Sequence, residues 1–365
     1  MCRYSGVAEK MERADAVIAG RVQLYDLDLD ALESLLESMG EPSYRAQQVW
    51  EWLYVHLVDS YEEMTNLPRS LRQKLSERTV LQLLEVVDTA RSSDGRTRKD
   101  LLQLPDGETV EAVLMRYERR RTACLSTQVG CAMGCPFCAT GQMGFCRDLS
   151  SGEIVAQALH FARHLQAEGE RLTNVVLMGM GEPLANYEAT LEAIHRLNHP
   201  DGFRLGQRHI TLSTVGLVPG IRRLAQEGLQ ITLAVSLHAA TDDLRDRLAP
   251  VNRRYPLDSL FDACSTYVDI TGRRVSFEWA LVEGVNDTPE QAHALADRLE
   301  GMLAHVNLIP LNPSAEYRGT GSARARVDAF AAVLDQRHVP YTVRVRRGVA
   351  IQAGCGQLRQ RNQCP

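Results

Sequence analysis

From residue 122 onward, short runs rich in apolar and β-branched residues alternate with longer amphipathic stretches. The runs 122–127, 174–178, 209–212, 231–237, 274–282 and 305–309 read as strands, with helix-length segments between them. Such alternation marks parallel βα units, folded as an open doubly wound sheet or as a full or partial barrel. The first hundred residues carry a different pattern. Leu32, Leu35 and Leu36 follow Asp30, a candidate N-cap, and Gly40 marks a stop. Val49, Trp50, Leu53 and Tyr54 place a second helix within 43–56, and Pro68 opens a third that runs to Leu75. Two turn signals, Ser93-Asp94-Gly95 and Pro105-Asp106-Gly107, then separate strand-like runs, which predicts a β-ribbon. The expected organisation is a helical accessory module at 1–90, a ribbon link at 91–121 and an α/β domain at 122–365.

Composition narrows the class. A chain of 365 residues holds one large domain and a smaller one, and 44% apolar with 24% charged residues is ordinary for a soluble globular protein. There is no run of about 18 apolar residues, and Arg3, Glu9 and Lys10 stand where a signal peptide needs an apolar stretch. A cytoplasmic protein with no membrane partner is expected. The net charge of −5 argues against a uniformly basic nucleic-acid binder, but the charge is uneven. No Asp or Glu follows Gln336, whereas Arg337, Arg344, Arg346, Arg347, Arg359 and Arg361 do. A second group, Arg116, Arg119, Arg120 and Arg121, precedes the first strand of the α/β domain. Arginine forks suit phosphate and base stacking, so both groups read as RNA contacts or as solvated surface.

The candidate chemistry centres on Cys131, Cys135 and Cys138, spaced Cys-x₃-Cys-x₂-Cys among Gly130, Gly134 and Pro136. Three thiolates can hold three irons of a cubane cluster and leave the fourth open, whereas a structural zinc site is normally closed by four ligands. The competing readings are a zinc knuckle that borrows Cys124 or Cys146, or three buried thiols. With Phe137 before the last cysteine, the run matches the radical S-adenosylmethionine (SAM) superfamily signature, Cys-x₃-Cys-x-aromatic-Cys. Polar residues also collect at the carboxyl ends of the expected strands: Gly181 and Glu182 in Gly-Met-Gly-Glu-Pro, then Ser213, then Ser236-Leu237-His238, then Asn312. In a barrel these ends converge on one mouth. Singly, His238 is as well explained as a core histidine, and Ser213 as a helix cap. Cys124 lies within the first strand of the α/β domain, where it either faces the cysteine triad or packs as a small buried residue, and Cys355 lies between glycines in the acid-free tail, where neighbouring cations are expected to favour its thiolate.

Several motifs in fixed order resemble the RlmN family of radical SAM adenine-C2 methyltransferases acting on 23S rRNA and tRNA. They are Cys124 to Cys131, Met178 to Asn186, Ser236-Leu237-His238, Gly284-Val285-Asn286-Asp287, His305 to Pro310 and Cys355-Gly356-Gln357-Leu358. The resemblance runs from about Val110 to Leu358 and implies a partial (βα)₆ barrel. It further implies one 4Fe–4S cluster on Cys131, Cys135 and Cys138, and two SAM molecules per turnover. Gly181, Glu182, Ser213, Ser236, Leu237, His238 and Asn312 are the implied SAM contacts. Cys355 is the implied methyl carrier, and Cys124 the thiol that resolves a protein–RNA adduct by forming a transient disulfide with it. Glu111 is the implied proton acceptor, although alone it reads as a solvent-facing strand residue. A reductant must serve both the cluster and the disulfide.

The chain departs from the family at Val349, Ala350 and Gln352, where an acidic run is usual, and at Gly354, where alanine is usual. Cys2, Cys146, Cys264 and Cys364 read as packing or surface residues. A Cfr-type enzyme acting on carbon 8 of adenine shares the same cysteines, but Val129 and Pro183 fit RlmN better. A non-catalytic RNA binder with a structural cluster would not need Cys124, Cys355 and Glu111 together.

Overall fold

Leucines at helical spacing bury one face of each N-terminal helix. Helix Leu29–Ser38 points Leu32 and Leu36 into the core. Its cap is Asp28, whose side chain accepts from Ala31 N at 2.8 Å, so the cap lies two residues before the expected Asp30. Helix Tyr44–Glu51 continues through a π turn at Trp52–His56, and helix Arg69–Arg78 starts after Pro68. These elements belong to a computed structural model that describes residues 20–312, 317–344 and 348–358. Strands β1 (Val22–Gln23) and β2 (Thr79–Val80) pair in parallel and clasp the helical module.

The ribbon follows as antiparallel strands β3 (Glu85–Arg91), β4 (Thr97–Gln103), β5 (Thr109–Arg116) and β6 (Arg121–Cys124). It therefore starts at Glu85, inside the span expected to be helical. Gly95 and Gly107 turn its hairpins at φ of +67° and +89°, which glycine reaches without steric cost. Strands β7 (Gln128–Gly130) and β8 (Phe145–Asp148) form a separate antiparallel pair flanking the cysteine loop.

Strands β9 (Asn174–Leu177), β10 (Ile210–Thr214), β11 (Thr232–Ser236), β12 (Val275–Leu281), β13 (Ala304–Pro310) and β14 (Tyr341–Val343) then add in parallel beside β6. One ten-stranded sheet results, in the order β14-β13-β12-β11-β10-β9-β6-β5-β4-β3. Because β6 pairs with β5 and not with β14, the parallel part curls without closing. This is the expected partial barrel, with its six strands and a short seventh, β14. The burial of β12 shows why the sheet is covered on both faces: Val275, Phe277, Trp279 and Leu281 are buried, and so are Glu278 and Ala280 between them.

The accessory module docks on helix Ser151–Ala167, which opens with a capping box between Ser150 and Glu153. Asp26 Oδ1 accepts from Gly152 N at 2.6 Å, and a Cβ on Gly152 would stand 2.8 Å from Asp26 N. Arg163 fastens the other end, donating to Tyr25 Oη and to the Leu57 and Val58 carbonyls. No helix among the described residues is long and apolar enough to cross a membrane.

Candidate active site

The cysteine loop hangs between β7 and β8. Cys131 N donates to Gly144 O at 2.7 Å, Cys138 N donates to Cys135 O at 3.1 Å, and Gly134 turns the loop at φ of +65°. Cys131, Cys135 and Cys138 all line one cavity at the carboxyl ends of the barrel strands, together with Gly181, Glu182, Ser213, Ser236, His238, Asn312 and Cys355. The sequence-expected residues thus converge, except that the Leu237 side chain is fully buried beside the cavity and its amide donates to Glu278 O at 3.0 Å. Among the described residues no three His, Cys, Asp or Glu side chains converge as they would on a single ion. The three thiols line the same cavity, and three thiolates suit a cluster that keeps one iron open, whereas a structural zinc site is normally closed by four ligands.

Close packing builds the rest of this wall. A Cβ on Gly179 would lie 2.6 Å from Leu125 O, and one on Gly181, at φ of +102°, would lie 2.7 Å from Gln128 Cβ. Glycine lets the turn press against residues 125–128, where Met180 N donates to Ser126 Oγ and Glu182 N to Gln128 Oε1. Glu182 is 3% exposed; its Oε2 accepts from Val215 N at 2.8 Å and its Oε1 from Leu184 N at 3.1 Å. Burial pushes this carboxyl up to about 7 despite those bonds. His238 sits at φ of +61°, its Nδ1 accepting from Ala280 N at 3.0 Å, and burial followed by the charge of Arg245 brings its pKa down to about 3. It is a neutral imidazole with its proton on Nε2. Its ring meets Phe137 edge-on with centroids 4.9 Å apart, which ties the cysteine loop to β11.

Cys355 lies where this cavity meets a second one. The second cavity is lined by Cys355, Cys124, Met178, Asn307, Arg344 and residues of the inner strand faces. The segment bearing Cys355 is held from three sides. Ala139 N donates to Gly356 O at 2.8 Å, Thr140 Oγ1 to Leu358 O at 2.6 Å, and Asn312 Nδ2 to Cys355 O at 3.2 Å. Both thiols are free. Burial pushes Cys124 up to about 12, and it also raises Cys355, with Arg344 opposing. Arg344 is the cation that favours the Cys355 thiolate, while enclosure by the surrounding protein acts against it, although the side chain itself is exposed.

Glu111 is a buried residue of β5, not a solvent-facing one. Its Oε1 lies 2.7 Å from Lys99 Nζ, which also donates to Gln352 O at 3.2 Å, so one lysine joins this carboxylate to the Cys355 segment. Glu111 lines neither cavity. Sequence reasoning gave no role to Lys99, Glu278 or Asn307. Lys99 could have been noticed as one of three lysines, and Glu278 as a charge inside an apolar strand. Glu278 faces the first cavity, bonds Asn307 Nδ2 at 2.7 Å and lies 3.7 Å from Arg344.

The basic groups behave differently from the expectation of open cationic surface. Arg116 and Arg121 pair with Glu168 and Glu170, Arg337 pairs with Asp297, and Arg119 and Arg120 remain exposed. Arg346, Arg347, Arg359 and Arg361 lie outside the described residues, as do Cys2 and Cys364. Cys264 is fully buried packing, whereas Cys146 is disulfide-bonded and not a plain packing or surface thiol.

Comparison with known proteins agrees with this geometry. Residues 22–81 match the family described as the ribosomal RNA large subunit methyltransferase N-terminal domain, and residues 125–296 match the radical SAM superfamily. Dual-specificity RNA methyltransferase RlmN 1 of Myxococcus xanthus is 54% identical over 92% of this chain and 94% of its own length. A probable dual-specificity RNA methyltransferase RlmN of Chloroflexus aurantiacus is 51% identical over 94% of each chain. The crystal structure of a radical SAM methyltransferase from Sphaerobacter thermophilus superposes with a TM-score of 0.91 at 50% identity, covering 92% of this chain and 99% of that one.

Proposed function

This chain belongs to the RlmN family of radical SAM RNA methyltransferases, and we propose that it methylates carbon 2 of a specific adenosine in 23S rRNA and in tRNA. The observation that carries the residue-level reading is the place of Cys355, on the wall common to the cysteine-lined cavity and the cavity of Cys124. When bound, a 4Fe–4S cluster and SAM supply a methyl group and, on one-electron reduction, a carbon-centred radical. Cys131, Cys135 and Cys138 would hold the cluster through their thiolates. Gly181, Glu182, Ser213, Ser236, Leu237, His238 and Asn312 would orient SAM, with Glu182 kept in place by its two backbone donors.

Cys355 takes the methyl and later carries it to the base as a thioether. Carbon 2 of adenine and the methyl of SAM are both electron-poor, so loss of a hydrogen atom from the sulfur-bound methyl, and addition of the resulting carbon radical to the base, avoids a mismatched polar transfer. Glu111 takes the proton from the attacked carbon. Cys124 then attacks the Cys355 sulfur: the S–S bond forms as the S–C bond to the RNA breaks, the pair from that bond stays on the methylene carbon, which takes up a proton to become the methyl, and the odd electron left by the radical addition would return to the bound cofactor. Two electrons from a cellular reductant reopen the disulfide, which suits a cytoplasmic enzyme. Exposed Arg119 and Arg120 offer phosphate contacts, so RNA affinity falls as salt rises.

The test is mass spectrometry of nucleosides from 23S rRNA fragments and tRNA incubated with anaerobically reconstituted enzyme, SAM and reductant. 2-Methyladenosine from the wild type, and none from Cys355→Ala or Cys124→Ala in multiple turnover, is the expected result. 8-Methyladenosine would move the chain to the Cfr type, and 5′-deoxyadenosine without any methylated base would overturn the RNA assignment.

A further inference from the structure

The target base needs a place from which its reacting carbon meets the Cys355 methyl and from which Cys124 can then reach the Cys355 sulfur. We infer that the second cavity is that place and that Asn307 reads the exocyclic amine of the adenine; the inference rests on the methylation reading above. Cys124 and Cys355 both line this cavity, and the cysteine triad does not. Its walls alternate apolar Val176, Met178 and Val343 with polar Thr122, Asn174, Thr211 and Thr342, a surface for a flat ring with a polar edge. At the rim Arg120 lies over the Tyr117 ring, 4.9 Å from its centroid, so a cation and an aromatic face stand together where a nucleotide would enter.

Asn307 is the group best fixed to read that edge. It is 8% exposed, and its Nδ2 donates to Glu278 Oε1 at 2.7 Å and to Ser276 Oγ at 2.9 Å. Flipping the amide would set its oxygen against the Glu278 oxygen, so the assignment of donor and acceptor follows from the neighbours. Both N–H groups are used, and Oδ1 accepts nothing among the described residues. A fixed acceptor in the wall favours a ligand amine and rejects a ligand carbonyl, which separates adenine from guanine.

The test uses full-length reconstituted enzyme and an RNA hairpin carrying either adenosine or purine riboside, which lacks the amine, at the target position. Methylation of Cys355 by SAM without RNA, read from the intact protein mass, is measured alongside. Wild type should favour adenosine roughly tenfold in kcat/KM, the size of one neutral hydrogen bond. Asn307→Leu should erase that preference while Cys355 methylation is retained. Thr342→Phe, at an exposed position on β14 that lines the cavity, should block RNA methylation and likewise spare Cys355 methylation. Undiminished preference in Asn307→Leu, or undiminished RNA methylation in Thr342→Phe, overturns the assignment of the cavity alone. A wild type that methylates Cys355 but neither RNA overturns the methylation reading and this inference with it.

Discussion

The two cavities that meet at Cys355 are built on opposite plans. In the first, the three candidate cluster thiols come from a single loop, and the ends of two side chains are fixed by backbone amides: both Glu182 oxygens accept amides, and His238 Nδ1 accepts Ala280 N, while Glu278 Oε2 and Asn312 Oδ1 have no hydrogen-bond partner among the described residues. The second is assembled from residues of five barrel strands and the C-terminal segment, and Asn307 leaves its acceptor open toward the space. A wall built from one loop, with a carboxylate and an imidazole fixed by backbone amides, suits a resident cofactor. One with an open, oriented acceptor suits a substrate that comes and goes.

Variants on either side should therefore fail in different ways. The largest effect belongs to Cys135→Ala, which should remove both 5′-deoxyadenosine formation and Cys355 methylation by on the order of 10³-fold or more. If Cys355 were still methylated, the two cavities would not be divided as described. Cys124→Ala should leave Cys355 methylation intact and accumulate a covalent protein–RNA species, seen as a retarded band on a denaturing gel; free methylated RNA in multiple turnover would remove Cys124 from the resolving role. Lys99→Met should lower RNA methylation about tenfold, by freeing Glu111 and Gln352, with partial recovery in Lys99→Arg. Equal rates in all three proteins would show that the clamp is irrelevant to turnover.

Two smaller effects concern stability. Asp100 is fully buried on β4, and although burial raises its carboxyl, bonds from His160, Arg98 and Thr89 together hold it below the usual carboxylate range. Its contribution is present above the unfolded value and is lost as pH falls through the folded one. Asp100→Asn should cost about 3 kcal/mol at neutral pH and flatten the acid side of the Tm profile. Gly354→Ala should cost about 1–2 kcal/mol, because the new Cβ, 2.6 Å from Asn312 Nδ2 and 2.8 Å from Gln357 Oε1, displaces two buried side chains that bond this segment. No loss would mean that the junction of the two cavities gives way freely.

Local pattern carried much of the fold and the first cavity into view. Six barrel strands, the ribbon turns and the cysteine loop all have short-range signals, and the polar residues at strand ends share one mouth. What escaped was decided by tertiary context. Three-residue β14 is too short to show periodicity, and the choice of Asp28 over Asp30 as cap depends on which residue takes extended backbone. Arg116 and Arg121 read as cationic surface because Glu168 and Glu170, which neutralise them, lie some fifty positions away. Asn307 and Glu278 sit on adjacent strands, and their pairing exists only once β12 and β13 align.

The backbone bond between Ala139 and Gly356, with its companion from Thr140 to Leu358, joins the cysteine loop to a segment synthesised about two hundred residues later. The cysteine loop leaves the ribosome long before the residues that cover it. Until residues 354–358 arrive, a radical-generating centre held by the cysteine loop would have no methyl acceptor beside it. A polypeptide stopped short of Gly354 would thus be a source of uncoupled SAM cleavage, which makes completion of translation itself a safeguard of the chemistry.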